Sequence, residues 1–486
     1  MKLIKRTFNI LFIFIILFTI IGCKDDDIID TPEVVVEELT IISVNDFHGA
    51  LEQNSEGRYG AARLAYLIEQ ERKSAEASVL ISAGDMFQGT AISSYTRGKA
   101  VIDVMNEMDF DVMNLGNHEF DWGYDEIYKY VDGDLTNGEA EFPYLGCNVI
   151  EKSTKNILKG VKPYEIIERG GLKIGIIGFM GDTIESSISP QFIEPYEFVD
   201  VISTVKKYVK ELRNDQNVDV VIAVGHQDDR YNESLANLSG LEKIDAIINS
   251  HSHETYSSVI IRNDGSTVPY LQAGSAGEKF GQITLGINTE TKEVTGGFAQ
   301  IKNSNGKNID PDVDLLIYKL QQETAPIFSR VIGVAKQNVY RNECATWAAS
   351  ALREYAGTDI AVINSGGIRT QGLPIYKGSN ITISTVHGFM PFDNIVKTVT
   401  LKGSDIKRLV SMFVYSSNVV YNESTGQIYI NGELLQSYKK YTVASIDYIF
   451  DNSRYPFLYG ENINNTGVLF RDVLIERIEK DGSIIL

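Results

Sequence analysis

Cysteine is scarce in this chain. Its 486 residues include three cysteines, Cys23, Cys147 and Cys344, and no two of them have the spacing Cys-x-x-Cys. The absence of this spacing disfavours a metal site built from thiolates, and the three cysteines give no sign of a disulfide framework. Cys147 and Cys344 fall in segments that the pattern assigns to different domains, so we expect both to be free thiols.

Positive charge is also in short supply. The chain has 45 Lys and Arg against 65 Asp and Glu, a formal net charge of −20. Proteins that bind nucleic-acid polymers need basic surface to neutralise phosphates, so we expect no such polymer among the partners. Small phosphorylated molecules stay possible, because bound divalent cations make a site locally positive even on an acidic protein.

An apolar run near the N-terminus, Ile10–Ile21, is shorter than the roughly 20 residues that cross a bilayer. Basic residues precede the run, and Gly22 and Cys23 close it. The pattern predicts a signal peptide over residues 1–22. Its end resembles the lipobox of bacterial lipoproteins, which implies cleavage before Cys23 and lipidation of that cysteine. The alternative is an uncleaved anchor.

Residues 23–38 are predicted to form a tether, which starts with the acidic run Asp25-Asp26-Asp27. On this interpretation the protein is exported. It would be bound to a membrane of the cell envelope through its N-terminal lipid, on the periplasmic face or the outer surface.

Short apolar runs and helical patterns alternate between residues 39 and 305. Two of the helical patterns are Ala61–Glu76 and Val199–Arg213. Alternating strands and helices favour a layered α/β domain. The apolar runs cover residues 39–44, 79–83, 112–115, 173–178, 218–224 and 244–248.

A different pattern follows this first domain. Asp310–Ile332 has the pattern of an amphipathic helix interrupted by Pro326, and we predict a linker helix within residues 306–332. A second domain is predicted over residues 333–486. It opens with a helix over Ala345–Tyr355 and a strand over Asp359–Ile363.

The histidines are concentrated at the ends of predicted strands. The chain has six, and five of them, all in the first domain, follow apolar runs: His48, His118, His226, His251 and His253. Asp85 follows another run in the same way. A single histidine at a strand end is usually a hydrogen-bonded residue, but five such positions argue for a shared role. His387 lies in the second domain without adjacent acidic residues, and we interpret it as structural or supporting.

These residues have the chemistry of a metal site. Sites in open α/β sheets form at the carboxyl ends of the strands, where distant residues converge. Oxygens from Asp46, Asp85 and Asn117 together with imidazoles suit Zn, Mn or Co. This many ligands predicts two divalent ions, which together activate water and stabilise charge on a transferring phosphoryl group.

The motifs that contain these residues resemble those of calcineurin-like metallophosphoesterases. The motifs are Asp46-x-His48, Gly84-Asp85, Gly116-Asn117-His118-Glu119 and His251-x-His253. In the second domain, the segments Asn364–Arg369 and Met390–Asn394 resemble the nucleotide-recognition domain of the bacterial 5′-nucleotidase family. The resemblance implies an N-terminal four-layer α/β/β/α metallophosphoesterase domain followed by a C-terminal α+β substrate-recognition domain.

The resemblance also implies roles for matching residues. Two metal ions would share Asp85 as a bridge. The first metal set is Asp46, His48, Asp85 and His253. The second metal set is Asp85, Asn117, His226 and His251. His118 and Asp121 match the catalytic dyad, in which a protonated His118 oriented by Asp121 would stabilise the phosphoryl oxygens.

Residues of the second domain match the family's substrate contacts. Phe392 and Tyr448 would stack on a base, and Arg369 would pair with an anionic oxygen. The substrate-binding set is Arg341, Asn364, Gly366, Gly367, Arg369, Phe392 and Tyr448. Asn452-Ser453-Arg454 departs from the family's Gly-Gly-Asp, whose aspartate contacts the ribose, so this segment puts nucleoside specificity in doubt.

The function implied is metal-dependent hydrolysis of nucleoside 5′-phosphates to nucleoside and phosphate. Two alternatives keep the same centre: a 2′,3′-cyclic-nucleotide phosphodiesterase and a nucleotide-sugar pyrophosphatase. A third alternative is a binding lipoprotein without catalysis, which the complete ligand and dyad set disfavours.

Overall fold

The structure is a computed structural model that describes residues 35–53, 59–409 and 412–486. The predicted signal peptide, Cys23 and the tether up to residue 34 lie outside the described residues. The last residues of the predicted tether join the fold, because the N–H of Val36 donates to the carbonyl of Gly170 at 3.0 Å. Within the described ranges, every helix is too short or too polar to cross a membrane.

The first half of the chain alternates strands and helices, as its pattern predicts. The strands are β1 (Glu38–Val44), β2 (Ala77–Ser82), β3 (Val112–Asn114), β4 (Tyr144–Leu145), β5 (Val149–Glu151), β6 (Val161–Lys162), β7 (Tyr164–Arg169), β8 (Leu172–Met180), β9 (Tyr196–Phe198), β10 (Val220–His226), β11 (Ala246–Ile248), β12 (Thr255–Ile261), β13 (Thr267–Ala273), β14 (Lys279–Ile287) and β15 (Val294–Asn303). The helices are α1 (Ala61–Ser74), α2 (Ala91–Tyr95), α3 (Lys99–Glu107), α4 (Tyr124–Tyr128), α5 (Pro190–Ile193), α6 (Val201–Asn214) and α7 (Asn232–Ala236).

Two large sheets form the centre of this half. One has the order β15-β14-β1-β2-β3-β4-β6 and the other β12-β13-β11-β10-β8-β7. Strands β1 to β4 run parallel, as do β8, β10, β11 and β13, while β14 adds antiparallel to β1. The central strands are buried on both faces, which explains their nearly continuous apolar sequences.

Alternate residues of each strand fill different layers. Ile41 and Ile176 face the core between the two sheets. Ile42 lies in the core that packs under α1 and α3, and Ile177 lies in the core that packs under α6. The four-layer α/β/β/α prediction is therefore confirmed.

Helix α6 shows how the sequence makes an outer layer. Val201, Val205, Val209 and Leu212 recur at helical spacing and are buried against the second sheet. Asp200 caps the helix, because its carboxylate accepts the N–H of Ser203 at 2.8 Å. Such a cap contributes about 1 kcal/mol to helix stability.

The second half has its own core and sheet. Its strands are β16 (Val331–Val334), β17 (Ile360–Ile363), β18 (Asn380–Thr382), β19 (Ile395–Lys402), β20 (Val414–Tyr415), β21 (Val419–Asn422), β22 (Gln427–Ile430), β23 (Glu433–Leu434), β24 (Lys440–Ile446) and β25 (Glu461–Leu469). Its helices are α8 (Pro311–Phe328), α9 (Arg341–Ala356), α10 (Ile383–Phe389), α11 (Gly403–Leu409), α12 (Asp447–Phe450) and α13 (Phe470–Asp481). The mixed sheet β20-β17-β24-β19-β25 and the helices around it give the predicted α+β arrangement.

Helix α8 reaches from one core to the other. Its first turns place Val313 and Ile317 in the core of the first half, and its last residue, Phe328, lies in the core of the second. Asp310 caps its start. The predicted interruption at Pro326 is wrong: the helix continues to Phe328, because a proline in the last turn removes few helical hydrogen bonds.

Candidate metal centre and active site

The predicted metal ligands converge where the parallel strands end. Asp46 and His48 follow β1, Asp85 follows β2, and Asn117 follows β3. His226 is the last residue of β10, and His251 and His253 follow β11. Five of these seven side chains are buried: Asp46, His48, Asp85, Asn117 and His226. The strand-end pattern in the sequence therefore corresponds to a single cluster in space.

The first predicted set brings ring nitrogens close together. His48 Nε2 lies 3.0 Å from His253 Nε2, and His253 Nε2 lies 3.7 Å from an oxygen of Asp46. His48 Nδ1 is 2.9 Å from the carbonyl of Gln88, so it carries the proton and leaves Nε2 with a lone pair. A carbonyl partner that fixes the tautomer in this way is typical of metal-binding histidines.

The second predicted set is similarly compact. His226 Nε2 is 3.2 Å from an oxygen of Asp85 and 3.1 Å from Asn117 Oδ1, which lies 2.9 Å from His251 Nδ1. His226 Nδ1 is 3.0 Å from the carbonyl of Ala83, which again leaves Nε2 for the centre. Asp85 has an oxygen within 4.8 Å of ring nitrogens from both sets, so it lies between them.

Backbone strain is concentrated at these ligands. Asp46, His48, Asp85, His251 and His253 all have positive φ angles, between 49° and 72°. This left-handed conformation is uncommon outside glycine and clusters at functional sites. Five ligands adopt it, so the loops are shaped to direct side chains into the cluster at a cost in backbone energy.

The electrostatics of the cluster fit a cation. Burial lowers the pKa of His251 and of His253 to about 4, so both rings are neutral at pH 7 with free lone pairs. Burial also raises the pKa of Asp46 to about 7. Burial lowers the pKa of His226, but the charge of Asp85 outweighs it and raises that pKa to about 9, so a protonated His226 compensates the buried carboxylates. A divalent metal would supply this positive charge instead when it binds, and the donor set of oxygens and ring nitrogens suits such an ion.

Glu119 is an additional buried carboxylate that the sequence motif contained without a role. Its two oxygens accept the N–H groups of Asp85, Met86 and Gly116 at 2.7 to 2.9 Å. It therefore ties the loop that carries Asp85 to the loop that carries Asn117. Its only sequence signal is its position inside the Gly-Asn-His-Glu motif.

His118 and Asp121 lie together as predicted for a dyad. The short helical turn His118–Phe120 places them on one side, with His118 Nδ1 at 2.7 Å from a carboxylate oxygen of Asp121. Burial alone would lower the pKa of His118, but the charges of Asp121 and Asp85 outweigh it and raise the pKa. The two carboxylates therefore favour uptake of a proton by His118, whose Nε2 is directed to the cavity.

Two residues of the second half contact His118. The guanidinium of Arg369 donates to His118 Nε2 at 2.9 Å, so in this arrangement Nε2 is an acceptor and the ring carries its proton on Nδ1. The ring of Phe392 stacks on His118 with ring centroids 5.8 Å apart. The guanidinium of Arg369 lies over the ring of Phe392, 5.0 Å from its centroid. The recognition residues predicted from the second domain thus meet the predicted dyad directly.

A cavity of about 520 Å³ lies between the predicted site residues of the first half and those of the second. Cavities of this size hold small-molecule ligands. The predicted site residues that line it are Asp85, Asn117, His118, Asp121, His251, His253, Asn364, Gly366, Gly367, Arg369, Phe392 and Tyr448. Lining residues that the sequence did not indicate include Gln88, Trp122, Ser189, Phe192 and Asp393.

Three further residues singled out in the sequence lie outside both the ligand cluster and this lining. Arg341 lies in a neighbouring depression and donates to the carbonyls of Ser365 and Ile368, at 2.9 and 2.7 Å. It therefore supports the glycine-containing loop from behind. Arg454 lines another depression, which shares Gln191 with the main cavity. His387 packs on Phe328 with ring centroids 5.1 Å apart.

An ion-pair chain connects the two halves beside the cavity. Asp393 accepts from Arg97 of the first half and, at 2.5 Å, from Arg471 of the second. Arg471 also donates to the carbonyls of Pro391 and Phe392. The loop that carries Phe392 is thus held from both sides. Cys147 and Cys344 are buried free thiols, as expected.

Comparison with known families agrees with this geometry. Residues 39–255 match calcineurin-like phosphoesterase, and the ligand cluster lies in that segment. The protein is therefore a metal-dependent phosphoester hydrolase. Residues 322–458 match the 5′-nucleotidase C-terminal domain, so the chain belongs to the family that joins these two domains, the 5′-nucleotidases. The resemblance inferred from the motifs is confirmed.

Individual relatives are distant but cover most of the chain. A snake venom 5′-nucleotidase from Naja atra is 28% identical over 483 residues, covering 89% of this chain and 85% of the relative. The endonuclease YhcR of Bacillus subtilis is 28% identical over 408 residues, covering 77% of this chain, which spans only 32% of that relative. A 5′-nucleotidase precursor from Thermus thermophilus shares the fold, with a TM-score of 0.78, 22% identity, and coverage of 92% of this chain and 97% of that structure.

Proposed function

We propose that this protein hydrolyses nucleoside 5′-phosphates to nucleoside and phosphate, using two divalent metal ions. One observation carries the proposal: a buried cluster of histidine and carboxylate donors and an arginine–aromatic pair face one cavity from opposite halves of the chain. The first group suits a phosphoryl group and the second a nucleoside.

The ligand geometry supports two metal ions with Asp85 between them. Asp46, His48 and His253 would hold one ion, and Asn117, His226 and His251 the other. Zn, Mn and Co each suit this mixture of oxygen and nitrogen donors. When bound, such ions supply Lewis acidity toward the phosphoryl oxygens and an activated water.

His118 and Arg369 would stabilise the charge that develops on the phosphoryl oxygens. Asp121 holds His118 through Nδ1 and raises its pKa, so Nε2 would take up a proton and donate to an oxygen of the substrate once Arg369 turns to the substrate. Arg369 adds a second cation 2.9 Å away and can pair with another oxygen. An anionic substrate would replace the hydrogen bond between Arg369 and His118 Nε2 and would accept from both groups.

Phe392 and Tyr448 line the same cavity and are both partly exposed, so the ring surface that His118 and Arg369 do not cover would stack on a base. Asn364 also lines it, and its Oδ1 accepts no hydrogen bond from the described residues. A nucleoside would then be held by stacking and by amide contacts, while its phosphate reaches the metal cluster.

Phosphate release from a substrate panel tests the proposal. The purified protein would be given Mn, Co or Zn, with a chelated sample as control, and AMP, ATP, a 2′,3′-cyclic nucleotide, a UDP-sugar and p-nitrophenyl phosphate. We expect AMP to be hydrolysed with a higher kcat/KM than the aryl phosphate. Bound metal without turnover of any ester would contradict the proposal and favour a binding protein.

A larger substrate is the second candidate. The depression lined by Asn452, Ser453 and Arg454 adjoins the main cavity at Gln191, where a group beyond the first phosphate could lie. A preference for the UDP-sugar or ATP over AMP would favour a pyrophosphatase. A preference for the cyclic nucleotide would favour a phosphodiesterase.

We also propose that the protein is exported and bound to the cell envelope through a lipid on Cys23. The support is the sequence of residues 1–23. Metabolic labelling with a fatty acid and cell fractionation test this: Cys23→Ser should remove the label and release the protein from the membrane fraction. Equal labelling of the variant would contradict the lipid anchor.

A further inference from the structure

Gln88 is a buried amide inside the cavity with no role in the sites described so far. Its residue is 1% exposed, and it lines the cavity together with Asp85, His118 and His253. Neither its Oε1 nor its Nε2 has a hydrogen-bond partner among the described residues. Burying an amide without partners is costly, so such a group at a ligand cavity points to a polar atom of the ligand.

Backbone contacts hold the loop that carries this amide. The carbonyl of Gln88 accepts from His48 Nδ1 at 2.9 Å. Gly89 has a φ of 154°, and a Cβ at that position would lie 2.5 Å from the carbonyl oxygen of His48, so only glycine permits this approach. Thr90 Oγ1 donates to the carbonyl of Gly49 at 2.6 Å. The Gln88 loop is thus joined to the loop that carries His48, next to the metal cluster.

The chemistry of the cavity wall indicates what the amide contacts. The metal cluster presents carboxylate oxygens and ring nitrogens, which accept hydrogen bonds or bind cations. A phosphoryl group is itself an acceptor and therefore needs donors. Donors on the dyad side are His118 and Arg369, and the side-chain N–H groups of Gln88 lie on the loop that follows Asp85.

We propose that Gln88 is a substrate-contacting residue whose side-chain amide donates to an oxygen of the phosphoryl group at the metal cluster. The inference rests on the proposed function of this cavity as a phosphoester site. It assigns to Gln88 a contact that strengthens binding of the phosphoryl group without holding metal.

Gln227 offers a matched control. It is 2% exposed, and both of its side-chain polar atoms also lack partners among the described residues. It directly follows the predicted ligand His226, and its carbonyl accepts the N–H of Ser250 at 3.0 Å. It differs from Gln88 in that it does not line the main cavity.

Binding of inorganic phosphate to the Mn-loaded protein tests the inference without requiring turnover. Isothermal titration calorimetry would compare wild type, Gln88→Leu and Gln227→Leu, and elemental analysis would give the Mn content of each. Loss of a hydrogen bond to a charged group should weaken phosphate binding about 10- to 100-fold in Gln88→Leu, with Mn content unchanged. Gln227→Leu should bind phosphate within about twofold of wild type, since Gln227 lies outside the cavity.

Two outcomes would overturn the inference. Phosphate binding by Gln88→Leu within about twofold of wild type would show that the amide does not contact the phosphoryl group. A fall in Mn content, or an equal loss in Gln227→Leu, would show a structural role. If Gln88→Leu does not fold, Gln88→Glu carries the test, because it keeps the shape and places a negative charge against phosphate.

The inference and the proposed function can fail separately. A wild-type protein that binds phosphate through Gln88 but hydrolyses no nucleotide would refute the proposed function and leave the contact in place. If the wild-type protein hydrolyses AMP and Gln88→Leu does so with an unchanged kcat/KM, the proposed function stands and Gln88 has no part in it.

Discussion

The loops that carry the metal ligands and the loops that carry the recognition residues reach the same cavity, but they are held differently. In the metal-ligand loops, the single carboxylate of Glu119 accepts three backbone N–H groups. Five ligands have strained backbones that the surrounding structure enforces. On the recognition side, Arg369, Phe392 and Tyr448 are partly exposed. The chemistry is thus placed on rigid strand ends, whereas the recognition of substrate lies on loops held by side-chain contacts such as those of Arg341 and Arg471.

The largest effect should come from the residue at the centre of the rigid side. Asp85→Asn keeps the shape of the side chain but removes the charge between the two predicted metal sets. We expect Mn content to fall and AMP hydrolysis to decrease by more than about 10⁴-fold, beyond what one positioned acid contributes. Asp111→Asn is the control, because Asp111 lies at the opposite end of β3. Full metal content in Asp85→Asn would contradict the assignment.

His118 distinguishes the dyad from the metal ligands. His118→Ala should lower kcat roughly 10²- to 10⁴-fold, the usual contribution of a positioned acid or charge stabiliser, with Mn content unchanged. His387→Ala, which alters a histidine outside the cavity, should retain turnover per folded molecule. A parallel loss of metal in His118→Ala would instead make His118 a ligand, as its distance to His48 and Asp85 allows.

On the recognition side, Phe392→Ala should act on binding. A base stacked on an aromatic ring contributes about 1–3 kcal/mol, so KM for AMP should rise about 5- to 150-fold while KM for p-nitrophenyl phosphate changes much less. Phe413→Ala is the control, since Phe413 packs on Tyr455 in the same half. Equal effects on both substrates would remove Phe392 from the base site.

The smallest effect should come from the connection between the two sides. Arg97→Ala breaks a partly exposed ion pair with Asp393, and such pairs contribute about 0.2–1 kcal/mol. We expect KM for AMP to rise about two- to fivefold with kcat nearly unchanged. Lys99→Ala removes a similarly exposed ion pair within one helix and should leave both constants unchanged. A large fall in kcat in Arg97→Ala would place Arg97 in the chemistry.

The same contrast explains how far the sequence could predict the structure. The metal ligands were predictable, because each follows a buried strand and the carboxyl ends of parallel strands meet at one edge. A layered α/β domain was predictable from the alternation of strands and helices, and its four layers from the resemblance to metallophosphoesterases. Arg341 and Gln88 were not, because hydrogen-bond partners and cavity walls depend on how distant loops pack. Pro326 was misleading for a different reason, because its position in the last turn of α8 decides its effect on the helix.

The left-handed backbone of the ligand loops has a consequence for the stability of the fold. Each non-glycine residue in that conformation costs about 1 kcal/mol or more. A glycine at a partly exposed ligand such as His253 would remove that strain and should raise the melting temperature of the metal-free protein, while metal binding is lost. The metal-free fold would therefore be more stable without the backbone conformation that the metal ligands adopt. The surrounding structure offsets the energy that this conformation costs.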